Sequence, residues 1–199
     1  MVGGEETATT QQIIMSVTVF DDFLPKDQFD LLENQSRHMV THGSWKTHKL
    51  WGDHLVLDSA PVLLGDVHQE EINSSVAAAI GEKIGQFTQR TVLQHWYPGS
   101  YIPWHDDGVH HAALTLYLSD HKEDDGGWFM HEEDGEVKLV RPVPNRAVFV
   151  KGGTRHCVTA VNGHAPIRRT LQVWLKQMPT VEPNWQRMES DKARTKKFI

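Results

Sequence analysis

Apolar positions along the chain fall into two textures, and the change comes near Gln86. Before it, Ile13 to Phe20 is β-rich, and alternation puts Val17, Val19 and Met15 on one face of a strand. Asp21-Asp22-Phe23-Leu24-Pro25 turns the chain into a helix over 26–38, where Phe29, Leu31, Leu32 and Met39 recur at helical spacing. A second helix is predicted over 66–86, with an Ala-rich centre and Ile72, Val76, Ile80 and Ile84 spaced by four. After Gln86, short alternating runs are separated by Gly, Asp, Asn and Pro clusters at intervals of about ten residues, the mark of an antiparallel sandwich or barrel. Strands are predicted at 88–97, 113–119, 127–132, 137–140, 146–150, 157–161 and 168–176. The turns between them include Asp124-Asp125-Gly126-Gly127, Glu133-Asp134-Gly135 and Asn162-Gly163.

Two ends and one middle segment lack this order. Residues 1–12 are small, polar and aperiodic, a tail. Residues 179–199 turn Pro-containing and then basic, a tail or peripheral helix. The domain therefore runs over 13–178, with a β core at about 88–176. Between the helices, the stretch 42–58 carries Trp45, Trp51, His42, His48 and His54 without clear periodicity. It exceeds the minimal connection of about 4–6 residues, and reads either as an aromatic-anchored surface loop or as a lid that recognises substrate.

Composition narrows the class. A chain of 199 residues is one domain, large enough to bury roughly 70% of its unfolded surface without staples. The single Cys157 excludes an internal disulfide framework and any zinc cluster built on cysteines, and suits a small core residue. No run of about 18 apolar residues occurs, so no membrane span is expected. The N-terminus lacks a basic-then-apolar pattern, and a cytoplasmic location is expected. The net charge of −6 disfavours a nucleic-acid partner. Against this ordinary background, 13 His residues are an excess of potential metal ligands.

His105-Asp106-Asp107 offers an imidazole and a carboxylate two apart, which at a strand end point to the same side and can share one ion. In so His-rich a chain about one such pair arises by chance; His121-Lys122-Glu123 and His131-Glu132-Glu133 are similar. His42, His48 and His54, spaced six and six, fit no period that would gather them on one metal. The surroundings of His105 are more telling: Tyr97-Pro98-Gly99-Ser100-Tyr101 runs into it, and the strand ending Tyr117-Leu118 follows. A Gly126-Gly127 turn, a distal His156 and then Arg168-Arg169-Thr170-Leu171-Gln172-Val173-Trp174 complete the series.

These motifs, in this order, make residues 92–176 similar to the prolyl 4-hydroxylase-type branch of the 2-oxoglutarate- and iron(II)-dependent oxygenases. Val19-Phe20-Asp21-Asp22-Phe23-Leu24-Pro25 and the following helix resemble that family's N-terminal part, extending coverage to about 16–176. The resemblance implies an α+β, mainly β fold: a double-stranded β-helix, or jelly roll, with supporting N-terminal helices. It implies His105, Asp107 and His156 as iron(II) ligands, a two-His, one-carboxylate set that leaves positions open for 2-oxoglutarate and dioxygen. Oxidative decarboxylation then yields succinate, carbon dioxide and an oxidant that takes hydrogen from a substrate C–H bond. Ascorbate binding, as a reductant, is implied at the family level.

For the far carboxylate of 2-oxoglutarate the family uses an Arg six residues before the strand's Trp, which selects Arg168. Alternation then turns Thr170, Gln172 and Trp174 inward with it and Arg169 outward, toward solvent or a surface carboxylate. The segment from His156 to Arg168 is longer than in the tightest members, so a register on Arg169 stays open. Tyr117 and Tyr97 match family tyrosines beside the cosubstrate. Trp104 is a wall of the pocket mouth or a core anchor. His110 and His111 are rim residues or substrate contacts, Asp106 faces solvent or orients a ligand, and His164 is exposed in its turn.

The function implied is hydroxylation of a substrate C–H bond, with a prolyl residue in a protein or peptide in first place. Hydroxylation of another residue, a free amino acid or a small metabolite is the alternative. Nucleic-acid dealkylation uses the same chemistry, but such relatives carry a second Arg where this chain has Trp174. A jelly-roll module with a non-catalytic metal, or a scaffold docking a partner through its Trp-rich loop, would leave Arg168 and Tyr117 as mere packing.

Overall fold

The computed structural model describes residues 16–38, 62–65, 67, 70–107 and 110–177. The elements, in chain order, are β1 (Val17–Phe20), α1 (Lys26–Arg37), β2 (Val62–Gly65), α2 (Glu70–Lys83), β3 (Phe87–Trp96), β4 (Ile102–His105) and β5 (Ala112–Tyr117). A 3-10 turn (Glu123–Asp125), β6 (Phe129–Glu133), β7 (Glu136–Val140), β8 (Ala147–Lys151), β9 (His156–Val158) and β10 (Arg168–Gln177) follow. The strands make a six-stranded sheet, β1-β8-β5-β10-β3-β2, and a four-stranded sheet, β4-β9-β6-β7. Every pairing is antiparallel. From β3 to β10 the chain passes back and forth between the two sheets, which is the winding of a jelly roll.

The helices cover the outer face of the larger sheet. In α2 the spacing of four buries Ile72, Val76 and Ile80 against Leu93, Leu114, Leu116, Leu171 and Val173, with Leu32 of α1 in the same cluster. Helix α1 is held to that sheet by polar contacts as well. Arg169 of β10 donates to the Glu33 carboxylate at 2.7 Å and to the Ser36 hydroxyl at 2.8 Å. The turn before α1 is clamped by Asn145, whose side chain accepts from the Leu24 N–H at 2.9 Å and donates to the Leu24 carbonyl at 2.8 Å. Asp21 and Arg146 form an ion pair across the same junction, at 2.6 Å.

Between the sheets lies a second, smaller core, with Tyr117, Phe129, Val140, Val148 and Val150. The β6–β7 hairpin closes on Asp134-Gly135, with φ of 54° and 80°. Two consecutive residues in the left-handed region are what a tight hairpin turn demands, and Asp-Gly meets that demand at low cost.

Three expectations need correction. Val19 does not share the burial of Val17: among the described residues β1 is an edge strand paired only with β8, and Val19 is 42% exposed. Strand β2 was not predicted; it is four residues long and takes its order from the edge of β3. Strand β4 was not among the predicted strands, and it contains Pro103. Proline is tolerated there because β4 is itself an edge, and its ladder with β9 shifts register between Ile102 and His105. Residues 1–12, 42–58, including Trp45 and Trp51, and 179–199 lie outside the described residues.

Candidate metal and dicarboxylate site

Strands β4 and β9 set His105 directly opposite His156. Residues directly opposite on an antiparallel pair point to the same face, and the two imidazole centres are 4.3 Å apart. Asp107 joins them just past the end of β4, one oxygen 3.8 Å from His105 Nε2 and the other 3.7 Å from His156 Nε2. The three side chains present ligand atoms that all lie within 4.8 Å of one another.

The two histidines are fixed in the same way. His105 Nδ1 is 2.8 Å from the Pro103 carbonyl, and His156 Nδ1 is 2.8 Å from the Thr154 carbonyl. A carbonyl can only accept, so Nδ1 carries the proton in both rings and each Nε2 presents its lone pair toward Asp107. Burial holds the His156 imidazole below its ordinary pKa, and His105 adds to that, which keeps the ring neutral for a metal. Phe129 stacks on its ring at 5.4 Å.

The cavity beside this triad extends along β10, past Gln172 and Trp174 and back to Arg168. Arg168 is 1% exposed. Its guanidinium sits 4.7 Å from the centre of the Trp96 ring and 5.1 Å from that of Tyr117. Among the described residues neither Nε nor Nη1 has a hydrogen-bond partner, and the Tyr117 hydroxyl, also buried, has none. A buried guanidinium with unpaired N–H groups is costly, and a planar carboxylate is the group its fork matches. Burial lowers the Arg168 pKa and raises that of Tyr117, so the Tyr117 hydroxyl keeps its proton to donate and the guanidinium is a desolvated cation that an anion would relieve. The donor set and this orphaned pair fit a ferrous ion and a dicarboxylate in one cavity.

The other candidates distribute themselves less simply. Trp174 lines the cavity, with the His110 ring tilted against it at 5.9 Å. Thr170 is fully buried but stands behind the cavity wall. It shares the Trp96 indole N–H with Gln94, both at 3.2 Å, and thereby holds the ring that carries Arg168. Tyr97, one position past β3, is half-buried and is not on the cavity wall, which Trp96 supplies instead. Trp104 is also off the wall: alternation turns it away from His105's side, and Arg155 lies 5.7 Å from its ring. Arg169, the alternative register, pairs with Glu33 on the opposite face of the sheet.

Trp96 was missed in the sequence because its role comes from pairing: Arg168 lies directly opposite it across β10 and β3. Gly127 was seen only as a turn residue. A Cβ there would stand 2.7 Å from Arg168 Cδ, and its φ is +68°, so glycine leaves the room in which the Arg168 side chain lies.

Comparisons with known proteins agree with this geometry. Residues 91–176 match the family model of the 2OG-Fe(II) oxygenase superfamily. No curated protein matches the chain at a significant level. A prolyl-4-hydroxylase from Pseudomonas putida shares the fold at 20% identity, covering 82% of this chain and 94% of that one, with a TM-score of 0.59. A Trichoplax adhaerens prolyl hydroxylase, solved with a hypoxia inducible factor peptide fragment, is 14% identical over 81% of this chain and 83% of its own, with a TM-score of 0.60. A viral collagen prolyl hydroxylase from Paramecium Bursaria Chlorella virus-1, solved with 2-oxoglutarate, is 14% identical over 82% and 97%, with a TM-score of 0.58. That superfamily works with iron(II), 2-oxoglutarate and dioxygen. Residues 91–176 carry the 2OG-Fe(II) oxygenase domain, in a fold shared with these prolyl hydroxylases.

Proposed function

We propose that His105, Asp107 and His156 hold the iron, that Arg168 and Tyr117 hold the far carboxylate of 2-oxoglutarate, and that the substrate is a prolyl residue in a protein or peptide. The observation that carries the site is the pairing of a His-Asp-His cluster with an orphaned, fully buried guanidinium on the wall of one cavity. Support for the prolyl substrate comes from the neighbours in fold, which are prolyl hydroxylases by name and in one case carry a peptide.

When bound, iron and 2-oxoglutarate supply the oxidation of a substrate C–H bond, and the chain's own residues supply its setting. The Nδ1–H bonds to the Pro103 and Thr154 carbonyls keep both imidazoles aimed before any metal arrives. Arg168 offers a planar pair of N–H donors at the closed end, with Trp96 and Tyr117 excluding water from the contact. Ile102, Phe129, Val150 and Val158 line the cavity with apolar surface and keep water from the reacting centre. Trp174, half-buried, lies six residues along β10 from Arg168 and with His110 forms the candidate substrate contact. Trp45 and Trp51 are further candidates from the sequence.

Anaerobic addition of ferrous iron and 2-oxoglutarate tests the site: a visible charge-transfer band is expected. No band, and no succinate on aeration, would overturn it. Turnover on a peptide array, followed by mass spectrometry, tests the substrate. Addition of one oxygen to prolyl peptides is expected, whereas modification confined to another residue or to free metabolites overturns the prolyl assignment and leaves the site standing.

A further inference from the structure

Two polar side chains on the cavity wall have no task in the site described so far. Thr115 of β5 and Gln172 of β10 lie directly opposite each other across the sheet, and both line the cavity that holds the triad and Arg168. The triad, Arg168 and the two indoles aside, the rest of that wall is Ile102, Ala113, Phe129, Val150 and Val158. In a pocket, a few polar groups set among apolar ones are what orients a ligand.

The pair has a fixed polarity. The Thr115 hydroxyl donates to Gln172 Oε1 at 2.8 Å. That bond occupies the amide oxygen on the β5 side and turns the NH2 group away from β5. On the β3 side the residue opposite Gln172 is Val92, whose buried, apolar side chain accepts nothing. Among the described residues the NH2 group finds no acceptor, so half-buried Gln172 meets the cavity as a donor only.

Gln172 also stands beyond the reach of the dicarboxylate. Opposite residues form rows across the sheet: Arg168 with Trp96, Thr170 with Tyr117, then Gln172 with Thr115. The Arg168 guanidinium keeps to the first two rows, 4.7 Å from the Trp96 ring centre and 5.1 Å from that of Tyr117. Between its carboxyl carbons 2-oxoglutarate spans about 5 Å, and from Arg168 it has to cross to the triad on the facing sheet. Little of that length is left to run along β10, where successive rows are about 6.6 Å apart. The space beside Gln172, between this ligand and Trp174 in the next row, falls to the substrate.

We propose that Gln172 is a substrate-binding residue: its NH2 group, aimed by Thr115, donates to a main-chain carbonyl flanking the target residue. The proposal rests on the prolyl reading above and on the assignment of the far carboxylate to Arg168. A prolyl residue has no main-chain N–H, so the polar groups it brings within a peptide are carbonyl acceptors. A donor-only amide is complementary to them, and Thr115 keeps the amide oxygen from swinging round to face them.

Anaerobic titration of the protein loaded with ferrous iron and 2-oxoglutarate measures substrate binding apart from turnover. The probe is the best-hydroxylated prolyl peptide of the array, read by the shift of the charge-transfer band. Two analogues of that peptide carry a thioamide in place of one or the other carbonyl flanking the proline, a weaker acceptor at a single atom. Wild-type protein, which needs no variant to fold, should bind one analogue about two- to fivefold more weakly than the parent. Gln172→Met, close in volume and without a donor, should weaken the parent peptide about three- to tenfold and no longer distinguish that analogue. Thr115→Val should weaken it by a smaller factor in wild type and by none in Gln172→Met, because it acts through the amide. Equal binding of all three peptides by wild type, unchanged parent affinity in Gln172→Met, or an analogue still distinguished by that variant overturns the proposal. A loss of 2-oxoglutarate affinity in Gln172→Met as large as its loss of peptide affinity also overturns it, and places Gln172 against the dicarboxylate. An array without a hydroxylated prolyl peptide overturns the prolyl reading instead, and the proposal with it.

Discussion

Arg168 lies directly opposite Trp96 across β10 and β3, and its guanidinium rests 4.7 Å from the centre of that indole ring. The pairing gives the cation an apolar, polarisable seat while leaving its N–H edge open, which is how a charge can be buried in waiting for a ligand. Removing the cation should therefore cost binding rather than folding. Arg168→Ala is expected to weaken 2-oxoglutarate by about two orders of magnitude, the loss of two charge-assisted hydrogen bonds. Titration of the anaerobic charge-transfer band measures it. Arg169→Ala should leave that affinity within about threefold. The reverse result would show that the strand register is off by one.

Arg169 has a different task, which sets a second expectation. It joins β10 to α1 through Glu33 and Ser36, so Arg169→Ala should lower stability by about 1–3 kcal/mol. A urea midpoint equal to wild type would remove the contact from the list of what holds α1 in place.

The same contact predicts the acid limb of stability. Burial raises the Glu33 carboxyl, but the hydrogen bonds and charges of Arg37 and Arg169 outweigh it and hold the net value below 4.5. Arg146 holds Asp21 below 3.8 chiefly through its hydrogen bond. A carboxyl lowered in the folded state contributes stability that is fully present above its unfolded value and is lost as pH falls through the folded one. Urea midpoints should thus be level above about pH 5 and fall below about pH 4. In Glu33→Gln the fall should be shallower, and an identical curve would show that Glu33 has no part in it.

Thr170 and Gln94 position Trp96 rather than touching a ligand. Thr170→Val should leave the indole N–H with one acceptor and cost about 1–2 kcal/mol in stability, with a smaller loss, about three- to tenfold, in 2-oxoglutarate affinity. Equal loss in Thr170→Val and Arg168→Ala would place Thr170 in the cavity itself.

Gly127→Ala tests the space around the guanidinium. The added methyl meets Arg168 Cδ, and the backbone there disfavours a side chain, so a destabilisation of about 1–3 kcal/mol and a displaced Arg168 are expected. The check is whether 2-oxoglutarate affinity falls while iron binding, read by metal titration, stays at the wild-type level. Parallel loss of both would mean that the turn supports the whole sheet.

Much of this was legible in the sequence because the signals were local. The spacing of four in α2, the Asp134-Gly135 turn and the alternation that separates Arg168 from Arg169 each depend on neighbours in the chain. What could not be read depends on partners far away. Trp96 acquires its role from pairing with a strand seventy residues on, and nothing in Trp96-Tyr97 says which ring turns toward the cavity. Tyr97 and Trp104 matched a pattern or stood beside a ligand, and strand parity put neither on the wall. Strand β4 was not predicted, and its Pro103 suits a strand only at a sheet edge, which the sequence does not reveal.

That edge has a consequence for how the empty and loaded proteins differ. Among the described residues strand β4 touches the rest of its sheet only through β9, and the ladder is interrupted between its two paired positions, Ile102 with Val158 and His105 with His156. A metal held by His105 and His156 becomes a rivet through that seam, joining the free border of the smaller sheet at the point where backbone bonding is thinnest. Loading then acts on cooperativity: the border ceases to open as a separate unit and unfolds only with the whole. Amide exchange over residues 102–105 should slow on metal addition far more than exchange in β10, and the gap between the two reports how much of the sheet's integrity the ion supplies.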